Sequence, residues 1–205
     1  HLMASTIPNC VSYDPTYAFE MAVIIQDGLD RMYTKQENKF YYITAMNENY
    51  SHPEMPVGVE QGIIKGIYRL VDNNFKSANR VQLMGSGTIL REIEAAVALL
   101  NDDWSVAADV WSITSANELR RDGLACQRWN MLHPEETPKV PYITEQLQEA
   151  EGPFIAATDY MKLYTDQLRP YVPGRFNVLG TDGFGRSDTR AKLRHFFEVN
   201  RYFIV

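Results

Sequence analysis

The apolar positions in the first quarter of the chain switch between two periods. Cys10-Val11-Ser12-Tyr13 is a short apolar run of strand type. Asp14-Pro15 follows, an N-cap residue before a proline suited to a first helical turn. Tyr17, Met21, Ile24, Ile25, Leu29 and Met32 then recur at three- and four-residue steps, which predicts a helix to about Tyr33 packed by one face on a sheet. Residues 39–46 (KFYYITAM) are dense in aromatic and β-branched side chains without polar alternation, as in a strand covered on both faces, and they close a βαβ unit. Residues 51–58 contain Pro53, Pro56 and Gly58 and no apolar period, so they read as an inter-domain linker.

Beyond it, residues 62–70 (GIIKGIYRL) suit a short strand or an extended lead-in, and residues 80–85 (RVQLMG) a strand. Ile89, Ile93, Val97 and Leu100 share one helical face, and residues 106–114 (VAADVWSIT) form the next strand. Ser115 and Glu118 have capping-box spacing for another helix, with Gly123 as its stop. Strand 154–158, helix 160–168, strand 176–179 and helix 189–197 follow, and Arg201-Tyr202-Phe203-Ile204-Val205 reads as a last strand. Strands and helices that alternate at these spacings need crossover connections, so the expected class is α/β with a three-layer, mostly parallel sheet.

Both ends suggest a piece of a larger α/β protein. His1-Leu2-Met3-Ala4-Ser5 places a His before the Met and shows no periodicity, so it reads as a cloning scar outside the fold. An apolar run without a polar tail at the other end suggests a cut there. These 205 residues are therefore expected not to carry out the parent's chemistry alone.

Composition narrows the function classes. With 45% hydrophobic and 22% charged residues the chain is of the ordinary globular kind. A net charge of -6 supplies no basic field for nucleic acid or an anionic membrane, and neither partner is expected. The apolar stretches fall short of the ~18 residues of a membrane helix. Cys10 and Cys126 lie far apart without metal-ligand spacing, which argues against a disulfide framework or a zinc site and fits a cytoplasmic protein.

Three segments carry candidate chemistry. Gly85-Ser86-Gly87-Thr88 sits between a strand and a helix, where backbone N–H groups hold anions, but it lacks the third glycine of a dinucleotide fingerprint and reads first as a tight turn. Residues 180–187 (GTDGFGRS), with Gly180, Asp182, Gly183, Gly185 and Arg186, form a loop at a strand's C-terminal end where α/β sheets keep their sites. Asp182 and Arg186 could pair with each other, and a structural loop is the plainer reading. Asn47, Glu48 and Asn49 also follow a strand and are the candidate substrate-side contacts, against a hydrated loop as the alternative. His133 is expected to pack at a helix end and His195 to hydrogen-bond locally. No nucleophile elbow, P-loop or HExxH motif is present, and no catalytic, cofactor-binding or metal residue is assigned.

The strings TIPNCVSYDPTYAFEMAVI, YYITAMNENY, ELRRDG, RWNMLHPEETPKVPYI, ATDYMKLYTDQLRPYVP and VLGTDGFGRSDTRAKLRHFFEV occur in this order, and from Thr6 to Val205 the chain closely resembles the homodimeric bacterial pyruvate dehydrogenases. More distantly it is similar to the end of transketolase. The resemblance implies residues 6–57 as the end of a pyrimidine-binding domain and residues 58–205 as a transketolase-like C-terminal domain lacking its last helix. It implies a parent that uses thiamine diphosphate and magnesium to decarboxylate pyruvate and acetylate the lipoyl group of the dihydrolipoyl acyltransferase core. It also implies a homodimer. The family's diphosphate motif and catalytic residues lie upstream of Thr6, so no cofactor is expected on this segment, whose role would be architectural. Where transketolases place a phosphate-binding arginine, this chain has the Asn47 region, which suits an unphosphorylated oxoacid. The alternative is a non-enzymatic anion- or nucleotide-binding module that uses the two glycine loops.

Overall fold

The computed structural model describes all residues, 1–205. Strand β1 (Cys10–Tyr13) pairs in parallel with β2 (Phe40–Ile43), and helix α1 (Ala18–Leu29) crosses between them, as the βαβ reading requires. The helix begins later than Asp14-Pro15 suggests. Tyr17 is its N-cap, and the Glu20 side chain accepts the Thr16 and Tyr17 N–H groups, which frees Asp14 for another use. A π-turn carries the helix on to Thr34. Strand β2 is not covered on both faces: Phe40 and Tyr42 are exposed, because this sheet has only two strands.

Helix α2 (Glu60–Lys65) occupies a segment that sequence reading leaves to a strand or lead-in, and β3 (Ile67–Val71) follows through Gly66 at φ 110°. Sequence patterning weakens here because glycines flank the helix on the inside and at its end. Strands β4 (Arg80–Gly85), β5 (Ala107–Ile113), β6 (Phe154–Ala157) and β7 (Phe176–Leu179) complete a five-stranded sheet of order β3-β5-β4-β6-β7. Only the β3–β5 pair is antiparallel.

The period of two along these strands sorts the core into two faces. Met84, Trp111 and Ile113 pack under α4 (Ala116–Leu132), α5 (Tyr142–Leu147) and α6 (Leu163–Asp166). Val81, Leu83, Ala108 and Val110 pack under α3 (Leu90–Trp104) and the C-terminal segment. A smaller cluster, with Val11, Tyr13, Ile24, Ile63 and Tyr68, joins the two sheets.

Four expectations are corrected. Helix α4 begins on its Ser115 cap, whose Oγ accepts the Glu118 N–H at 3.1 Å, but it runs through Gly123 to Leu132. Gly123 is a packing glycine there: the ring of Tyr171 fills the space of its missing side chain. The expected helix 160–168 is reduced to α6 and a following 3-10 turn at Arg169–Tyr171. After α7 (Arg190–Phe196), Arg201–Ile204 forms one turn of helix, α8, rather than a strand. Asn200 caps it by accepting the Tyr202 N–H, Arg201 forks onto Glu92 of α3, and Ile204 is buried, so capping and packing override the β-type composition. Finally, residues 1–5 belong to the fold. Leu2 packs against the larger core, and the His1 ring lies among Tyr42, Tyr160 and Tyr164.

Candidate functional site

The N-terminal turn, the start of β2 and the loop after β6 enclose a mainly apolar cavity of about 1000 Å³. Its wall includes His1, Phe40, Tyr42, Tyr160, Tyr164 and Asp159. Ring centroids of Tyr42, Tyr160 and Tyr164 lie 5.3, 5.1 and 5.0 Å from that of His1. Behind the imidazole is a polar chain. Its Nε2 is 3.0 Å from Thr44 Oγ1, and that hydroxyl donates to Asp14 Oδ1 at 2.7 Å. The Tyr160 hydroxyl donates to the same oxygen at 3.3 Å.

This order of donors assigns the ring. A threonine hydroxyl that gives its one proton to a carboxylate accepts from its other neighbour, so Nε2 carries the hydrogen. Nδ1 then keeps its lone pair, and it is buried without a partner in the protein. The His1 carbonyl accepts Nδ2–H of Asn117 at 2.8 Å, and Asn117 also donates to Ser12 Oγ at 2.7 Å. Imidazole and backbone are thus both held. The imidazole lines the cavity, and with Nδ1 unpaired in the protein it is a group there that can exchange a proton.

Asp14 is fully enclosed. Burial pushes its carboxyl up to about 6, against hydrogen bonds that favour the ionised form, while the nearby Asp159 charge raises it further. Burial likewise raises Asp159, opposed first by the Arg194 charge. Glu20 is a second interior carboxyl raised by burial. It accepts hydrogen bonds from Tyr68 OH at 2.7 Å and Ser112 Oγ at 2.6 Å and ties α1 to the larger sheet.

The residues singled out from sequence fall elsewhere. Asn47 and Asn49 are exposed and form no side-chain hydrogen bond. Glu48 is clamped by three arginines, at 3.0 Å from Arg91, 3.3 Å from Arg190 and 3.1 Å from Arg194, and so faces α3 and α7. The GSGT turn is filled by the chain itself: a side chain at Gly87 would meet the Asp14 carboxylate at 2.7 Å. In the 180–187 loop Asp182 accepts the Lys162 N–H at 2.9 Å, and Arg186 lies over the Phe196 ring at 4.1 Å instead of pairing with Asp182. Gly180 is required by a close approach to the Tyr160 carbonyl, whereas Gly183 and Gly185 have open space around them. His133 stacks on Trp129 at the end of α4, and His195 reaches Asn200 and the Phe203 ring. Cys10 and Cys126 are buried and unbridged.

His1, Asp14, Thr44 and the Tyr160–Tyr164 pair are distant in sequence and no spacing rule joins them. The residues in the cavity wall do not suit a diphosphate or its metal. No group of three or more His, Cys, Asp or Glu is placed to hold a cation, and no Lys or Arg lines the cavity. No helix is long and apolar enough to cross a membrane.

Comparison with known proteins adds the following. Residues 1–53 match the family model described as "Pyruvate dehydrogenase E1 component middle domain", a match that includes His1. Residues 66–200 match the "Transketolase-like TK C-terminal domain". A pyruvate dehydrogenase E1 component of Pseudomonas aeruginosa is 60% identical over 206 residues, covering 100% of this chain and 23% of the relative. One from Escherichia coli strain K12 is 57% identical over 207 residues, with the same shares. The chain thus spans about a quarter of the length of these relatives. Transketolase from Campylobacter jejuni superposes with a TM-score of 0.64 at 14% identity, over 99% of this chain and 26% of that one. Transketolase from Leishmania mexicana gives 0.61 at 16% identity, over 99% and 25%. At these identities the structural likeness speaks for the fold.

Proposed function

Since this chain belongs to the family of transketolase-like C-terminal domains, preceded by a pyruvate dehydrogenase E1 middle-domain segment, we propose that it serves as part of a pyruvate dehydrogenase E1 component. The observation that carries this is identity of 60% along the whole chain to an E1 component. The reaction is the thiamine-diphosphate-dependent oxidative decarboxylation of pyruvate, with transfer of the acetyl group to the lipoyl group of a dihydrolipoyl acyltransferase. Residues 6–57 would complete a pyrimidine-binding domain and 58–205 form the C-terminal domain of a cytoplasmic homodimer.

The cofactor would supply the carbanion chemistry when bound, and the cavity wall has no cationic or metal-ligating set for its diphosphate and magnesium. What these residues contribute is the aromatic wall and one imidazole. An apolar wall excludes water from a reacting oxoacid. His1, oriented through Thr44 and Asp14, offers its ring as a proton acceptor or donor at the substrate. This goes beyond a purely architectural role.

The test is steady-state turnover of pyruvate by the longer protein with thiamine diphosphate and magnesium, beside the 205-residue chain. The longer protein is expected to turn over and the short chain not to. His1→Ala in the longer protein should lower kcat by about 10² or more, the scale of a lost acid-base group, with cofactor binding followed by fluorescence titration unchanged. Full activity of that variant would remove His1 from the reaction, and absence of pyruvate turnover in the longer protein would overturn the assignment.

A further inference from the structure

A second cavity, of about 290 Å³, lies on the far side of the Asp159–Thr181 wall, and both of those residues line both cavities. Its polar side is built from three arginines, Arg186, Arg190 and Arg194, and its apolar side includes Met46, Leu193 and Phe197. Arg190 and Arg194 stand four residues apart on α7 and so share one helix face.

The charges here do not balance. Arg91, Arg186, Arg190, Arg194 and Arg201 meet only Glu48, Glu92 and Asp159 within the cluster. With Glu94, whose charge also acts on Arg91, counted in, one positive charge is left over on a chain whose net charge is -6. The surplus has a location. Arg186 forms no ion pair and touches only the Phe196 ring, and Arg190 is 40% exposed with a single 3.3 Å contact to Glu48. Arg194 is 8% exposed, gives Nη2–H to Thr88 Oγ1 and Glu48, and keeps a buried Nε–H with no acceptor. A buried guanidinium donor without a partner is costly, and native structures normally satisfy it.

We propose that this cavity is a binding site for a small phosphate monoester, with the phosphoryl group held by Arg186 and Arg190 beside the Arg194 guanidinium and a short apolar portion lying on Met46, Leu193 and Phe197. A phosphoryl anion answers the surplus positive charge, and guanidinium forks hold phosphoryl oxygens through paired N–H bonds. The apolar wall distinguishes such an ester from free phosphate. This site is made of side chains on α7, unlike the backbone of either glycine loop, and it does not depend on the catalytic reading above.

Isothermal titration of the intact chain with inorganic phosphate and with propyl phosphate tests this. Both should bind saturably with one site per chain, propyl phosphate the more tightly. The partly exposed pair Arg186→Gln and Arg190→Gln should weaken both at least about tenfold, the effect of losing charge-assisted bonds. Arg120→Gln, on α4 at the opposite face, should leave them unchanged; it controls for general charge. No saturable binding below about 10 mM, the weak end of specific affinities, would overturn the site. Equal weakening by Arg120→Gln would do the same, and equal affinity for the two ligands would overturn the apolar part.

Discussion

Asp14→Asn isolates the cost of keeping a carboxyl in the wall behind His1. Asp14 is 4% exposed, and its ordinary value of 3.8 is raised to about 6, chiefly by burial. A folded-state value above the unfolded one means that the native chain binds the proton more tightly. The resulting stability is complete below the unfolded value and is lost as pH rises through the folded value. A shift of about two units corresponds to ~3 kcal/mol in full, and about 2 kcal/mol of it falls between pH 4.5 and 7.5. Glu20, Glu94 and Asp159 are raised as well, so the wild-type curve alone mixes several groups. The difference between wild type and variant removes the shared part, because asparagine keeps an acceptor for Thr44 and Tyr160 and has no charge to bury. Urea unfolding followed by far-ultraviolet circular dichroism at a series of pH values gives this difference directly. The variant should gain about 2 kcal/mol relative to wild type from pH 4.5 to 7.5, with the steepest change below pH 6. A difference flat to within about 0.5 kcal/mol would show that Asp14 is not held in the wall as a destabilised carboxylate.

Glu48→Gln leaves three arginines without their shared counter-charge; since Glu48 is partly exposed, the loss should be about 2–3 kcal/mol in urea unfolding, below that of a fully buried pair. Because the arginines repel one another, the variant should recover part of that loss at about 1 M NaCl, and an unchanged denaturation midpoint would contradict the clamp. Two glycines with positive φ should behave differently on substitution by alanine. Gly152 (φ 90°) has no room before the Arg80 carbonyl, so Gly152→Ala should lose about 3 kcal/mol or more or fail to fold. Gly183 (φ 93°) is surrounded by open space, so Gly183→Ala should cost only the backbone term of about 1 kcal/mol, visible as a small shift in Tm.

What could be read in the sequence depended on how local its physical cause is. The βαβ unit, strands β4 to β7 and the Ser115 cap follow from short-range patterns. The failures are tertiary. Gly123 carries the code of a helix stop, yet Tyr171, far along the chain, makes it a packing position. Arg201–Val205 has strand composition, yet Asn200 and Glu92 supply a cap and an ion pair that no β-propensity reflects. Asp14 has the right type and position for an N-cap and instead enters the interior, because the Glu20 side chain already takes the Thr16 and Tyr17 N–H groups that such a cap would serve. The site was hidden for a related reason. His1 looked foreign beside a methionine, and the polar chain behind it spans residues 1, 14, 44 and 160, which meet only when two sheets are assembled.

The path from β2 to α2 sharpens that point. Residues 44–56 have no regular structure and carry the prolines and polar residues of a linker. They are nevertheless tied down along their first half. Thr44 bonds to Asp14, Glu48 to α3 and α7, and the Tyr50 hydroxyl to the Thr16 carbonyl, while the Arg91 guanidinium lies 4.5 Å from the Tyr50 ring. His52 Nδ1 accepts the Ala18 N–H at 3.1 Å. The first tie joins the exits of β1 and β2, and the others join the segment to an element of the larger domain or to the start of α1. A wall composed of His1 and Tyr42 from one side and Tyr160 and Tyr164 from the other needs such fixing, since a one-ångström slip between the sheets would separate the Tyr160 hydroxyl from Asp14. Sequence composition marks where the backbone lacks regular hydrogen bonds. The side chains of Glu48, Tyr50 and His52 decide that the same stretch acts as a brace.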